Sequence, residues 1–322
     1  MRIEQQREER FMKSFLIDSN DAGQRLDKFV VKVTSGLPKG MLYKAVRKKR
    51  IKLNHKRCDC SAMLREGDLV ELYLNDEFFP KQDETFSFLK APASLSIVYE
   101  DSNILLVDKP VGLRVHSDRA ADSDSLVARI QHYLYQKQEY NPEKEHSFAP
   151  ALCNRIDRNT QGIVIAAKNA PALRILNEKI KQRELEKYYL CVVHGIPQPR
   201  HAVLTGYWSK DSRRNKALVR DTPQDGFHEI VTEYTVLRPG VHESLVEVRL
   251  HTGRSHQIRA HMAHIGHPLV GDAKYGGSGG QPHQLLCAYK LRFCFQTDAG
   301  ALSYLDGREF SLDDVWFTNN FK

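Results

Sequence analysis

Between residues 96 and 250, stretches with the character of β-strands outnumber stretches with helical periodicity. Strand-like apolar segments occur at 96–100, 103–110, 188–194, 229–237 and 244–250, and more follow after residue 284. These segments do not alternate strictly with helices, and no internal repeat is present. The pattern therefore predicts an α+β fold with a mixed, mainly antiparallel sheet, and it disfavours a doubly wound parallel sheet.

Helical spacing of apolar residues occurs at 124–137 and 171–183 in the same part of the chain. In the second stretch Leu173, Leu176 and Ile180 share one face, and Pro171 suits a first helical turn. We expect both stretches to be helices, the second with these three residues facing inward.

The first third of the chain has a different organisation. Helical spacing predicts helices at 25–33 and 38–50. The buried faces of these helices are expected to be formed by Leu26, Phe29, Val30 and Val33, and by Met41, Leu42, Ala45 and Val46. Two short strands, at 51–54 and 69–74, would complete a small unit of two helices and a sheet.

These patterns divide the chain into four parts. We expect a tail at 1–11, a small basic domain at 12–75, a linker at 76–93 and a larger domain at 94–322. The linker is expected because DEFFPKQDETFSFLKAPA mixes proline and charged residues without periodicity.

The net charge of +8 favours a polyanionic partner. Nucleic acid is the first candidate and an anionic membrane surface is the second. Every charged residue between positions 39 and 57 is basic. A solvated surface usually mixes the two signs, so we expect this segment to bind phosphates. Its basic residues are Lys39, Lys44, Arg47, Lys48, Lys49, Arg50, Lys52, Lys56 and Arg57.

No apolar run approaches the roughly 20 residues that a membrane span requires, and the charged N-terminus does not resemble a signal peptide. A soluble, cytoplasmic protein is expected. Cys153, Cys191 and Cys287 have apolar neighbours and are expected in the core. Cys58 and Cys60 lie near His55, but no second cysteine pair follows at zinc spacing, so neither a metal nor a disulfide is expected there.

One carboxylate, Asp157, stands between Arg155 and Arg158 in ALCNRIDRNTQGIVIAAK. A surface ion pair is the ordinary explanation for such a residue. However, the polar stretch 154–160 runs directly into the apolar segment IVIAA, and a loop fixed to a buried strand is a rigid place for a catalytic group. Nearby guanidinium groups would favour the ionised carboxylate, which suits a nucleophile better than a general acid.

Two further stretches carry reactive side chains. Residues 251–277 contain five histidines, together with Arg254 and Arg259 on either side of Gln257. A zinc site is one reading, but HExxH is absent, and the arginines could instead grip phosphates or hold a carboxylate. Tyr188 and Tyr189 begin a strand, so one side chain can enter the core while the other faces a cleft.

Together these stretches resemble the RluA family of pseudouridine synthases. NRIDRNTQGIVIAAK is similar to the family's catalytic-aspartate motif, EKYYLCVVHG to its tyrosine motif, and TGRSHQIRAHMAHIGHPLVGDAKYGG to its third motif. VDKPVGLRVH, at 107–116, matches the family's first strand and loop. In addition, residues 12–75 resemble the small RNA-binding domain of the S-four type, through QRLDKFV and LPKGMLYKAVRKKRIKLNHKR.

The resemblance implies a role for several residues. Asp157 would be the nucleophile, Tyr189 would lie against the target base, and Arg259 would pair with Asp157. Arg155 would help to flip the nucleotide, and Arg254 and the basic segment would contact RNA. The chain departs from the family pattern at Asn154, where histidine is usual, and at Ile156, where leucine is usual.

The implied function is the isomerisation of specific uridines to pseudouridine, most closely resembling modification of large-subunit ribosomal RNA. The enzyme would be a monomer without a cofactor or metal, in keeping with the lack of a dinucleotide or phosphate-loop fingerprint. Transfer RNA is the alternative substrate. A non-catalytic RNA-binding or ribosome-assembly factor is the alternative from another class, and a metal-dependent nuclease is a more distant one.

Overall fold

The computed structural model describes residues 12–80, 85–116, 124–278 and 280–321 of the 322-residue chain. The protein divides into two compact units. The first contains Met1–Ser94, Ala128–Ala151 and Lys168–Pro171, and the second contains Leu95–Val127, Leu152–Ala167 and Ala172–Lys322. The tail predicted at 1–11 lies outside the described residues.

The first unit is built on a small antiparallel sheet. Its elements are strand β1 (Met12–Leu16), helices α1 (Leu26–Val33) and α2 (Lys39–Arg47), and strands β2 (Ile51–Leu53), β3 (Lys56–Arg57) and β4 (Leu69–Tyr73). The strand order is β1-β4-β2-β3. The two helices and the strands β2 and β4 confirm the sequence prediction, whereas β1 and β3 were not predicted.

Both helices bury one apolar face. The four residues expected in the core from α1 are buried, as are Leu42, Ala45 and Val46 of α2. The prediction for Met41 was wrong, since its side chain is 47% exposed. Position 41 lies at the edge of the stripe that Leu42, Ala45 and Val46 form, about a quarter of a turn from its centre. Helix α2 also ends earlier than predicted, because Lys49 adopts a left-handed conformation with φ of 59°.

The stretch expected to be a linker, 76–93, contributes apolar side chains to the first unit. Its described parts contain two short 3-10 helices, Asp76–Phe78 and Ser87–Lys90. Phe79 and Phe88 are buried, and the ring of Phe88 contacts Tyr135 and Tyr140 edge-on or tilted. These aromatic contacts involve distant parts of the sequence, which explains why periodicity alone does not reveal them.

The remaining elements are the strands of a large sheet and three α-helices of the described chain. They are β5 (Ile97–Glu100), β6 (Ile104–Lys109), α3 (Leu126–Gln136), β7 (Ala151–Leu152), β8 (Gln161–Ala167), α4 (Ala170–Lys181), β9 (Leu185–His194), β10 (His201–Asp211), β11 (Lys216–Arg220), β12 (His228–Pro239), β13 (Glu243–Leu250), α5 (Gln257–His264), β14 (Leu286–Phe293) and β15 (Glu309–Ser311).

Within the described residues this sheet has eleven strands in the order β11-β10-β12-β13-β9-β14-β8-β6-β5, with β15 beside β14 and β7 beside β8. The neighbours β8 and β14 run parallel, and the other strand pairs with a defined register run antiparallel. A mixed, mainly antiparallel α+β fold is therefore confirmed.

The parallel pair positions the loop that contains Asp157. This loop enters β8 at Gln161, and Gly162 lies against the backbone of Ala288 on β14. A Cβ atom on Gly162 would approach the carbonyl oxygen of Ala288 to 2.3 Å, and its φ of +131° also favours glycine. Farther along β8, Ile163 and Ile165 join Leu176 of α4 in the apolar core. Among the described residues, no helix combines enough length with enough apolar character to cross a membrane.

Candidate active site

The loop between β7 and β8 is fixed to the sheet by its own polar side chains. The amide oxygen of Asn154 accepts a hydrogen bond from the backbone N–H of Ile165 at 2.8 Å. The N–H of Thr160 donates to the carbonyl oxygen of Asp157 at 3.1 Å, which closes a tight turn. Asn154 therefore anchors the loop, and Asp157 sits on a rigid support.

A buried lysine holds the other side of this loop. The ammonium of Lys109, at the end of β6, donates to the carbonyl oxygens of Pro110, Leu113 and Arg158 at 2.8, 2.9 and 3.0 Å. Burial lowers the pKa of Lys109 to about 8, and the charge of Asp157 opposes that shift. Three acceptors satisfy all three protons of the ammonium, so Lys109 ties together two loops at the site.

Arg259 is the residue that the structure brings to Asp157. Its Nη1 donates to Asp157 Oδ2 at 2.9 Å. Its Nε and Nη2 form a bidentate pair with Asp272 at 2.7 and 2.8 Å. Arg259 lies on α5 and is 7% exposed, Asp272 is 1% exposed, and the side chain of Asp157 is 25% exposed. Asp272 therefore fixes the guanidinium from behind, and the open side of the site contains the other carboxylate.

The sequence neighbours of Asp157 do not pair with it. Arg158 instead donates through Nε to the carbonyl oxygen of Gly112 at 2.9 Å, and Arg155 is exposed. The expectation that these two guanidinium groups act on Asp157 was therefore wrong. The ion partner of Asp157 is Arg259, which lies on a helix about a hundred residues later. Arg155 remains available to contact a ligand near the loop.

Two residues that the sequence did not single out complete the surroundings of the carboxylate. His256 Nε2 lies 3.7 Å from Asp157 Oδ2, and its Nδ1 lies 2.9 Å from the hydroxyl of Tyr275. That hydroxyl accepts a hydrogen bond from the N–H of Ala217 at 2.7 Å. The remaining proton of the tyrosine is then best used toward Nδ1, which places the imidazole proton on Nε2, facing Asp157. Burial lowers the pKa of His256, which favours this neutral form.

The two tyrosines of β9 face opposite sides of the sheet, as predicted. Tyr188 donates to Glu186 at 3.0 Å and lies under the ammonium of Lys290. Tyr189 is 7% exposed and pairs in register with Val248. Burial raises the pKa of Tyr189, and the charge of Asp157 raises it further. Tyr189 is thus a neutral, mostly buried phenol.

The predicted RNA-binding residues lie mostly on exposed surface. Arg254 precedes α5 and its guanidinium lies 5.9 Å from the ring centroid of Trp208. In the first unit Lys52 is half-buried over the ring of Tyr73. The others are exposed and form no ion pair with the described residues: Lys39, Lys44, Arg47, Lys48, Lys49 and Arg50. Their charge is thus not neutralised within the described part of the chain.

The histidines of 251–277 do not gather around one point. His251 contacts Glu233, His264 contacts Asp221, and His267 contacts the carbonyl oxygen of His194. His261 is buried and contacts the hydroxyl of Thr232. Over the described ranges no group of three or more histidine, cysteine or acidic residues has the geometry of a metal site.

The geometry defines the chemistry that this site can perform. One carboxylate is partly open to solvent, receives a charged hydrogen bond and has a neutral imidazole N–H beside it. A buried phenol lies within its electrostatic reach. Such a carboxylate can act as a nucleophile or a base, and the phenol offers an aromatic surface for a flat ring. Asp272 could have been found in the sequence, as the first carboxylate that follows Arg259.

Comparison with known proteins shows that this chain is similar to RNA pseudouridine synthases. The family model for RNA pseudouridylate synthase matches residues 103–264. An uncharacterized RNA pseudouridine synthase of Mycoplasma capricolum subsp. capricolum is 30% identical over 310 residues, which cover 95% of this chain and 99% of that protein. The ribosomal large subunit pseudouridine synthase C of Buchnera aphidicola subsp. Baizongia pistaciae is 30% identical over 267 residues, covering 81% and 79%.

Solved structures show the same fold. Human RNA pseudouridylate synthase domain containing 1 aligns with a TM-score of 0.55 and 24% identity, and the alignment covers 70% of this chain and 86% of that protein. The segment that the family model matches contains Asp157, Tyr189 and Arg259. The chain belongs to the RluA family of RNA pseudouridylate synthases, isomerases that act on RNA.

Proposed function

We propose that Asp157 is the catalytic carboxylate of this pseudouridine synthase, with Arg259 and Tyr189 as its partners. The observation that carries the proposal is the ion pair between Arg259 and Asp157, within a site that also holds a buried tyrosine. The conversion separates uracil from the ribose at N1 and rejoins it through carbon 5. In the course of this exchange carbon 5 loses a proton and N1 gains one, so no redox partner is needed.

The carboxylate acts on the ribose, either as a nucleophile at the anomeric carbon or as a base on the neighbouring carbon. Both routes need an unprotonated acid, and Arg259 donates a charged hydrogen bond to this carboxylate. The detached uracil must stay in place while it rotates, and the ring of Tyr189 offers a surface to retain it. His256 Nε2 can donate a hydrogen bond to the same carboxylate when a substrate closes the site.

The target nucleotide must leave its stack to reach Asp157, so we include base flipping in the proposal. Arg155 is exposed two residues before Asp157, where its guanidinium can contact the displaced strand. Flipping is least costly in loops and single strands, which are the parts of RNA that proteins read by shape and splayed bases. This supports a structured RNA with accessible uridines as the substrate.

The proposed substrate is large-subunit ribosomal RNA. The support is the similarity to relatives named ribosomal large subunit pseudouridine synthase C. Residues 12–75 would act as an RNA-binding domain of the S-four type, and the support is the exposed basic segment in the first unit. A monomer in the cytoplasm belongs to the same proposal. Mapping pseudouridines in cells that lack the protein would test the substrate: missing sites in transfer RNA, with ribosomal RNA unchanged, would contradict it.

Replacement of Asp157 by asparagine tests the catalytic role. We expect Asp157→Asn to abolish isomerisation, measured as tritium release from RNA labelled at carbon 5 of uridine. Folding should be unaffected, because Asp272 still neutralises Arg259. RNA affinity should stay within about three-fold, since one partly exposed carboxylate is changed. Asp225→Asn, which alters an exposed acid of the same unit, is the matched control and should keep full activity.

Measurable product from Asp157→Asn would contradict the catalytic assignment. If the wild-type protein binds RNA but no RNA gains pseudouridine, the protein would be a non-catalytic RNA-binding or ribosome-assembly factor.

A further inference from the structure

A pocket of about 200 Å³ opens beside the loop that contains Asp157. Val111, residues 281–284, Leu286, Trp316 and Phe317 line it, and all of them belong to the second unit. It is smaller than the roughly 300–1,000 Å³ of sites for drug-sized ligands, so its volume suits one planar ring system. None of its lining residues takes part in the site around Asp157.

The pocket is joined to the catalytic loop by direct hydrogen bonds. Gln284 Nε2 donates to the hydroxyl of Thr160 at 3.3 Å, three residues beyond Asp157. On the other side, Val111 precedes Gly112, whose N–H and carbonyl oxygen both bond to Arg158 at 2.9 Å. The segments that form the loop and the pocket enter β8 and β14, which are neighbouring parallel strands, so both lie at one edge of the sheet. A nucleotide bonded to one that occupies the active site can reach this pocket.

The pocket contains an aromatic surface with a fixed orientation. Trp316 is 49% exposed, whereas Phe317 is 1% exposed and belongs to the apolar core. The two rings meet edge-to-face, with centroids 5.6 Å apart. The indole is therefore braced on the buried ring while much of its own surface stays open. An exposed tryptophan beside a nucleic-acid site is the kind of group on which bases stack.

A buried polar group faces the same space. Gln284 is 6% exposed, and its amide nitrogen is used by Thr160. Its amide oxygen accepts no hydrogen bond that the structure shows from the described residues. Because Gln284 lines the pocket, this oxygen can accept a hydrogen bond from the edge of a base. Arg158 bonds to Gly112, the neighbour of the lining residue Val111, through Nε, and the rest of its exposed guanidinium can contact a phosphate.

We propose that this pocket binds the base of a nucleotide that flanks the target uridine, by stacking on Trp316 and hydrogen bonding to Gln284. The proposal rests on the proposed function, because it names where the same RNA makes a second contact. A flanking base held here would keep the strand open on one side of the flipped uridine. The pocket would thereby contribute to the choice of uridine, since neighbouring bases differ in size and in hydrogen-bonding edge.

The kinetic test uses substrate RNAs in which an abasic ribose replaces one flanking nucleotide at a time. For the wild-type enzyme, one flanking abasic position should raise KM about ten-fold with little change in kcat. Trp316→Ala should raise KM about as much on intact RNA and should make that abasic position neutral. Trp316→Phe keeps a stacking ring, so its KM should be close to that of wild type. Gln284→Leu should raise KM for RNA that carries a base at the same flanking position. Values of KM within two-fold of wild type for both Trp316→Ala and Gln284→Leu would overturn the proposal.

A binding test does not depend on catalysis. The chain has two tryptophans, and Trp208 is buried, so quenching by a ligand reports mainly on Trp316. In the Asp157→Asn background, a five-nucleotide oligouridylate should quench the tryptophan fluorescence saturably. An abasic oligomer of equal length should not. Trp316→Phe should remove the effect. Equal quenching by both oligomers would overturn the pocket even if the enzyme is active, whereas base-specific quenching by a protein that never isomerises RNA would leave the pocket standing and refute only the proposed function.

Discussion

At the scale of single residues, the direction of the hydrogen bonds around His256 has a chemical consequence. Tyr275 accepts from the backbone of Ala217 and can donate to Nδ1 of His256, so the imidazole presents an N–H to Asp157. The distance of 3.7 Å is too long for a hydrogen bond in the free protein. Catalytic contacts often shorten when a substrate binds, so His256 is suited to orient the carboxylate during the reaction.

Two amide substitutions separate this chemical role from a merely structural one. His256→Gln places an amide nitrogen near the position of Nε2, and we expect its kcat to stay within about three-fold of wild type. His256→Asn places its amide near Nδ1 instead and leaves Asp157 without this donor. We expect it to lower kcat about ten- to a hundred-fold at constant KM, the effect of losing a hydrogen bond to a charged group.

The backbone makes this comparison stringent. His256 has φ of 56°, a conformation that asparagine tolerates better than glutamine. Strain alone would therefore favour His256→Asn, the opposite of the order that the chemistry predicts. If the asparagine variant is the more active of the two, His256 does not orient the carboxylate through Nε2.

The sequence predicted Asp157 and Tyr189 as site residues through motifs that each lie within a few residues. It could not show that Arg155 and Arg158 form no ion pair with the acid between them, because neighbours along a loop need not share a direction. The role of Tyr275 was also hidden, since it depends on contacts with Ala217 and His256 that no local pattern encodes.

At the scale of elements, helix α5 is unusual because three of its six buried residues are polar or charged. Gln257, Arg259 and His261 are all nearly inaccessible, and each has a polar partner. Such a helix depends on complete hydrogen bonding, since a buried polar group without a partner is costly. The position of Arg259 opposite Asp157 thus depends on the packing of the whole helix.

His261 should make this helix sensitive to acid. Burial lowers its pKa to about 4, against 6.5 for an ordinary histidine. Between those two values the unfolded chain binds a proton that the folded protein does not, so stability should fall as the pH drops through this window. Relative to His261→Asn, the wild-type protein should lose up to about 3 kcal/mol of unfolding free energy between pH 7 and pH 4.

Urea denaturation across this pH range provides the measurement. His228→Asn changes an exposed histidine on β12 and is the matched control, whose stability curve should run parallel to that of wild type. Parallel curves for His261→Asn as well would mean that His261 does not couple protonation to folding.

Sequence patterns predicted most strands, but not the hairpin of β10 and β11. In β10 the residues alternate between exposed and half-buried, and few are fully buried. A strand near the sheet edge gains much of its stability from backbone pairing with its neighbours, which leaves a weak hydrophobic pattern. Strands β9 and β13 bury more of their side chains and were recognised for that reason.

At the scale of the whole molecule, the two compact units interleave in sequence. Residues 128–151 and 168–171 group with the first unit although they follow the start of the second. A reading along the chain places boundaries where composition changes, so it cannot detect a segment that returns to an earlier unit. The first unit therefore contains the unneutralised basic segment, and the second contains Asp157, the proposed catalytic carboxylate.

RNA affinity should therefore depend steeply on salt. Replacement of Lys44, Arg47 and Lys48 together by glutamine should flatten the plot of log Kd against log salt by about 2, if each side chain neutralises one phosphate of single-stranded RNA. The three side chains are exposed, so the fold should be unaffected.

The matched control replaces three exposed residues of the second unit, Lys181, Arg183 and Arg214, by glutamine. Filter binding or fluorescence anisotropy at several salt concentrations gives both slopes. An equal change in the two variants would mean that phosphate contacts are spread over the surface rather than concentrated in the basic segment.

The bidentate pair between Arg259 and Asp272 has an evolutionary consequence. Because it is assembled from the protein's own side chains, the electrostatic setting of Asp157 is the same for every uridine that arrives. Preference among uridines must then be exercised by surfaces farther out. Such an enzyme can acquire new modification sites through substitutions on those surfaces while its chemical machinery stays untouched.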